Sequence, residues 1–161
     1  MSLSTLVLSI GTPRHPGIAE AIREYESRLA HYFAYESVVL KPRQKGPRDP
    51  DQARAAEGDL LMRRLPGTLE TWALTRSGRT IGSRELADRL GEMETYGKPG
   101  VAFLIGGAFG LDPSVIQRCD QQLSLSRMTL PHELARLVLT EQLYRAGTLL
   151  RGEPYHKVGR T

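Results

Sequence analysis

The chain has 161 residues, an apolar fraction of 40% and a formal net charge of +4. That length and composition fit one compact domain with its own hydrophobic core, and they exclude a disordered or collagen-like chain. Apolar runs such as Val101 to Ile105 are far too short to cross a bilayer, and the positive balance favours a polyanionic partner such as RNA.

Leu3 to Ile10 is rich in Leu, Val and Ile and stops at Gly11-Thr12-Pro13. It reads as a buried first strand and lacks the basic flank and cleavage site of a signal peptide. After Pro16, residues Ile18, Ala21, Ile22, Tyr25 and Leu29 recur three or four apart, which predicts an amphipathic helix ending near His31. Tyr35 to Leu40 predicts a second strand. Lys41 to Asp51, with Pro42, Gly46, Pro47 and Pro50 among basic residues, predicts a mobile basic loop. Ala53 to Arg64 reads as a helix closed by Pro66-Gly67, and Leu69 to Leu74 as a third strand followed by a polar turn, Thr75 to Arg79. Ser83 is the expected N-cap of the next helix, with Glu85 in its first turn, and Gly97 and Pro99 end it. Val101 to Ile105 reads as a central parallel strand. Asp112-Pro113 opens a short helix, Leu123 to Ser126 alternates as a brief strand, and Pro131 opens a last helix to about Leu150, with Leu134, Leu137, Val138 and Leu139 packed inward.

Strand and helix alternate throughout. The expected class is therefore α/β, a mostly parallel sheet flanked by helices, in one domain over residues 1–161. Ligands in such sheets bind beyond the carboxyl ends of the strands. Three connections stand there: those after Leu74, Ile105 and Ser126.

Four segments carry chemistry. Gly106-Gly107-Ala108-Phe109-Gly110 follows the apolar strand directly, and glycines allow close approach of backbone to a ligand. The spacing is neither a dinucleotide fingerprint nor a Walker A loop, and on spacing alone a tight turn is the commoner role. Leu125 to His132 alternates polar and apolar residues before a Pro-initiated helix. Glu141, Gln142 and Arg145 follow the apolar stretch of that helix, on a solvated face or at an interface where they find partners. Arg151 to Lys157 holds a Tyr, a His and cations, a set suited to RNA or to an ordinary tail. Cys119 is the only cysteine, so no internal disulfide forms and a reducing cytoplasm fits. His15, His31, His132 and His156 are scattered, without metal-ligand spacing, so no metal is expected.

Taken together, Phe103 to Gly110, Leu125 to His132, Arg136, Glu141 to Ala146 and Gly152 to Lys157 match in order and spacing the ribosomal RNA large subunit methyltransferase H family. The chain resembles these SPOUT-class enzymes most strongly over its last third. The resemblance implies a SPOUT fold with a C-terminal trefoil knot and a SAM-binding region over about residues 101–157. It implies a homodimer, a cytoplasmic location, and methylation of N3 of a pseudouridine in 23S rRNA on the assembled 70S ribosome. It places S-adenosyl-L-methionine against Leu74, Gly106, Leu125, Ser126, Arg127, Met128, Thr129 and Leu130, with SAH as product. His132, Arg145, Tyr155 and His156 become the catalytic candidates, Tyr155 and His156 acting in the partner's site. Two departures stand out: Val158 to Thr161 extend beyond the Tyr-His-Lys motif, and Gly11 to Arg14 is an untypical turn. The alternatives are a SPOUT enzyme acting on tRNA, a basic ribosome-binding factor on the same scaffold, and a nucleotide binder using the glycine loop.

Overall fold

A computed structural model of the chain describes residues 2–42 and 49–157. Strands and helices alternate as β1 (Ser4–Ile10), α1 (Pro16–Leu29), β2 (Ala34–Leu40), α2 (Pro50–Arg64), β3 (Glu70–Thr80), α3 (Ser83–Thr95), β4 (Gly100–Ile105), α4 (Pro113–Arg118), β5 (Gln121–Ser124) and α5 (His132–Leu150). The strands form a sheet in the order β2-β1-β4-β3-β5, and each neighbouring pair is parallel. This is the α/β class expected from the alternation.

Side chains alternate across the sheet into two cores. Val7, Val101, Phe103 and Ile105 pack under α1, α3 and α5, against Leu29, Leu90, Leu139 and Leu143. Leu6, Leu8, Ala102 and Leu104 face α2 and α4, against Leu61 and Val115. β4 is central and buried on both faces, which is why Val101 to Ile105 is apolar without alternation.

Three local expectations are corrected. β3 does not end at Leu74: it pairs with β5 at Leu74↔Leu123 and again at Arg79↔Leu123 and Thr80↔Ser124, across a register shift. The predicted turn over Thr75 to Arg79 is therefore an irregular stretch of strand. Gly78 permits it, since a Cβ there would stand 2.8 Å from the backbone carbon of Gln122. Ser83 is not the N-cap of α3; Gly82 holds that position, and the Ser83 hydroxyl donates to Gln142 Oε1 at 2.6 Å, tying α3 to α5. α2 starts at Pro50 rather than Ala53, because Asp49 Oδ2 accepts the Gln52 N–H at 3.2 Å and Pro50 occupies the first turn. Most of the basic loop expected over Lys41 to Asp51, residues 43–48, lies outside the described residues.

α5 departs from the expected pattern in one further respect. Leu134 is 36% exposed, whereas Arg136 is 8% exposed. The Arg136 Nη2 donates to Ser37 Oγ at 3.0 Å and pairs with Glu26 Oε1 at 3.5 Å, while Glu26 Oε2 accepts from the Tyr35 hydroxyl at 2.6 Å. Burial, and after it the Glu26 carboxylate, hold the Tyr35 phenol well above its usual range. This polar knot fastens α5 to α1 and β2. Removing one member strands the others in the interior. Arg136→Ala should cost about 3 kcal/mol of stability, read as a lower urea midpoint with an unchanged slope. Arg136→Met combined with Glu26→Gln should recover at least half of the loss.

Candidate active site

β4 delivers Ile105 into a closely folded loop. The Gly110 N–H donates to the Gly107 carbonyl at 3.0 Å, and Gly110 has φ +81°. A Cβ on Gly106 would lie 2.5 Å from the Gly110 carbonyl carbon and 2.7 Å from the Leu111 nitrogen. These are backbone atoms that cannot move aside, so only glycine fits. The chain then enters α4, where Asp112 Oδ1 accepts the Ser114 N–H at 2.9 Å. The Ser114 hydroxyl donates to the same oxygen at 2.5 Å, and this bond, with that from the N–H, holds the Asp112 carboxyl below its usual range.

The connection after β5 is equally closed. Ser124 Oγ donates to the Ser126 carbonyl, and the Met128 N–H donates to Ser126 Oγ, both at 2.9 Å. The Arg76 guanidinium reaches across from β3 to donate to Thr129 Oγ1 at 2.8 Å. Glu133, in the first turn of α5, accepts the Arg14 N–H at 2.7 Å. The β1–α1 connection is thereby pinned beside His132, whose Nε2 lies 3.8 Å from where a Cβ on Gly11 would stand.

These segments enclose a cleft of about 810 Å³ at the carboxyl end of the sheet, within the ~300–1,000 Å³ usual for small-molecule sites. Leu74, Gly106, Leu125, Ser126, Met128, Thr129 and Leu130 line it, together with His132. Arg127 is exposed and does not line it. The three segments named from the sequence therefore meet in one place, the one after Leu74 being the irregular part of β3 rather than a connection.

Arg145, Tyr155 and His156 do not join them. They form a second cluster around Glu141: Arg145 Nη2 donates to Glu141 Oε1 at 2.5 Å, Tyr155 OH donates to the same oxygen at 3.0 Å, and Arg145 Nη1 lies 3.2 Å from His156 Nδ1. The Arg145 guanidinium sits over the Tyr155 ring at 4.9 Å, and that ring meets Tyr144 edge-on at 4.6 Å. The Glu141 carboxylate holds the Arg145 guanidinium above its usual range. Burial, and then hydrogen bonding with Tyr25 and Glu141, raise the Tyr155 phenol. Thirteen residues of helix separate His132 from Arg145, about 20 Å along the axis. The polar end of α5 is thus paired mainly within the chain, with the tail and α3, rather than left as a solvated face.

The tail is docked by Gly152, at φ +66°, and by the Tyr32 hydroxyl, which donates to Glu153 Oε2 at 2.5 Å. That bond, with a smaller effect of burial, pushes the Tyr32 phenol up to about 12 from 10.0. A raised phenol pKa contributes stability that is complete below about 10 and fades as pH rises towards 12. Tyr32→Phe should therefore be less stable than the parent at pH 8. The gap should close above pH 10, as read by urea titrations across that range.

Three residues at or beside the cleft were not legible in the sequence. Arg76 lay in a segment read as a turn. Glu57 and Arg54 of α2 touch the glycine loop from beneath: Arg54 Nη1 donates to the Phe109 carbonyl at 3.5 Å. Helical periodicity places Ala53, Glu57 and Leu61 on one inward stripe, and a charge in such a stripe was the available signal.

A parallel α/β sheet whose strand ends close on a glycine loop defines a protein of the small-ligand-binding α/β class. The family model described as "Predicted SPOUT methyltransferase" matches residues 3–156. A ribosomal RNA large subunit methyltransferase H from Gemmatimonas aurantiaca is 46% identical over 151 residues, covering 94% of this chain and 97% of that protein. The Listeria welshimeri protein of the same name is 40% identical over 156 residues, covering 94% and 98%. A crystal structure described as a probable methyltransferase from Bordetella pertussis Tohama I superposes with a TM-score of 0.53 at 21% identity, covering 90% of this chain and 96% of that one, and supports the fold. The chain belongs to the SPOUT methyltransferases, in the ribosomal RNA large subunit methyltransferase H family.

Proposed function

We propose that this protein methylates N3 of a pseudouridine in 23S rRNA, using S-adenosyl-L-methionine, on the assembled 70S ribosome. It works in the cytoplasm as a homodimer of single 1–161 domains, with residues of about 101–157 knotted around the cofactor. The observation that carries this reading is the convergence of Leu74, Gly106 and the 125–130 segment on one cleft.

The residues present fit the cofactor. Leu74, Ile105, Leu125 and Leu130 offer apolar walls for an adenine, and Ser126 and Thr129 offer hydroxyls to the sugar and amino-acid portion. Gly106 and Gly110 let the loop backbone approach the ligand. Bound there, SAM supplies the methyl group and departs as SAH.

The protein's own groups have two tasks. The imide N3–H must give up its proton, and the base must be held in line with the methyl donor. Alignment contributes up to ~7–11 kcal/mol in ideal cases, and a base that takes the proton, helped by a cation that lowers the imide pKa, a further ~10²–10⁴-fold. His132 stands at the cleft rim, whereas Arg145 stands about 20 Å further along α5, with Tyr155 and His156 of the tail gathered around it. That separation supports a homodimer in which the tail cluster of one protomer completes the cleft of the other. Tyr155 and His156 then position the base, and Arg145 stabilises the developing imidate.

The test is transfer of labelled methyl from SAM to 70S ribosomes lacking the modification, with 50S, 30S and bulk tRNA in parallel. Label confined to 23S rRNA of 70S particles is the expected result. Label in tRNA, or none despite SAM binding, overturns it.

A further inference from the structure

α2 turns Ala53, Glu57, Gly58 and Leu61 towards the sheet. Glu57 is the charged member of that stripe and is 9% exposed. Burying a carboxylate on an apolar face is costly unless its charge or its shape is used. Both of its oxygens face the glycine loop: a Cβ on Gly107 would lie 2.8 Å from Oε1 and 3.0 Å from Oε2. One helical turn earlier, Arg54 donates to the Phe109 carbonyl of the same loop. Gly106 to Gly110 also line the cleft, whereas Glu57 and Arg54 do not. The loop therefore rests against Glu57 and also borders the ligand site.

We propose that Glu57 is a positioning residue for cofactor binding: its carboxylate holds Gly107 so that the Gly106–Gly110 backbone meets SAM in one conformation. The proposal rests on the cleft being the SAM site. It acts through the loop, so it should affect capture of the cofactor more than the chemical step.

The decisive variant is Glu57→Met. It keeps the side-chain volume, and its thermal midpoint is measured beside the parent's so that loss of fold and loss of binding are told apart. SAH affinity, by calorimetry, should fall at least about tenfold, because a small displacement of positioning backbone is enough to do so. Glu57→Gln, which retains shape and an acceptor, should stay within about threefold of the parent. In turnover on ribosomes, Glu57→Met should raise KM for SAM and leave kcat at saturating SAM within about threefold. Glu57→Met binding SAH like the parent overturns the proposal. So does equal weakening in the Met and Gln variants with a lowered midpoint, which marks a merely structural role. If Glu57→Met does not fold, Gly107→Ala takes its place. It leaves Glu57 intact and presses a methyl onto the carboxylate, and unchanged SAH affinity there is equally fatal. A parent protein that binds no SAH refutes the cofactor reading itself, before Glu57 enters.

Discussion

Arg145→Ala and His156→Ala should each lower kcat on ribosomes by about 10²-fold or more, while SAH affinity stays at the parental value. Both side chains belong to the Glu141 cluster, which does not line the cleft. Loss of cofactor affinity in either variant would place the cluster in binding instead of chemistry. The separation along α5 sharpens the expectation. A protomer whose cleft is disabled by Gly106→Ala still carries an intact tail, and a His156→Ala protomer still carries an intact cleft. In the proposed homodimer neither variant alone should turn over, but mixed dimers would hold one site built from an intact cleft and an intact tail. Activity should therefore reappear on mixing after denaturation and refolding. Continued inactivity of verified mixed dimers would show that each tail serves its own protomer or none.

Gly106→Ala is the second large effect. Its added methyl meets the Gly110 carbonyl at 2.5–2.6 Å and the Leu111 nitrogen at 2.7 Å. Backbone on a φ +81° turn cannot yield as a flexible side chain would, so the loop itself must shift. Overpacking of this kind costs up to about 3 kcal/mol, and about 10²-fold in SAH affinity follows if the strain is relieved at the cleft. Gly67→Ala is the control, since nothing lies within 4 Å of its added Cβ. It should bind SAH normally. Retention of SAH binding by Gly106→Ala would mean that the loop is not part of the cofactor site.

Much of this architecture follows from local chemistry that a sequence displays. Val101 to Ile105 is apolar at every position because β4 is covered on both faces. Asp112-Pro113 caps α4 through the side chain and imino acid that the sequence shows. The segments after Ile105 and Ser126 were recognisable as following strands, although β5 ends two residues earlier, at Ser124, and β3 runs on past Leu74; in a parallel sheet all strand ends on one side share a face.

What the sequence could not contain is who lies beside whom. The stretch Thr75 to Arg79 looks like a turn, and pairing with β5 makes it strand. Ser83 has the chemistry of a cap, and Gln142, 59 residues away, takes its hydroxyl instead. Arg136 and Glu57 are charged positions on helices, and a Ser37–Glu26 pair and a glycine loop from distant segments receive them in the interior. The cleft obeys the same division. The match to the family's motifs named the residues that would meet a cofactor. The strand order, which sets β4 beside β3 and β3 beside β5, decided that they do, and the length of α5 decided that Arg145, Tyr155 and His156 stand apart from them. Local propensities act over a few residues, whereas these placements depend on side chains meeting across the sheet and between helices.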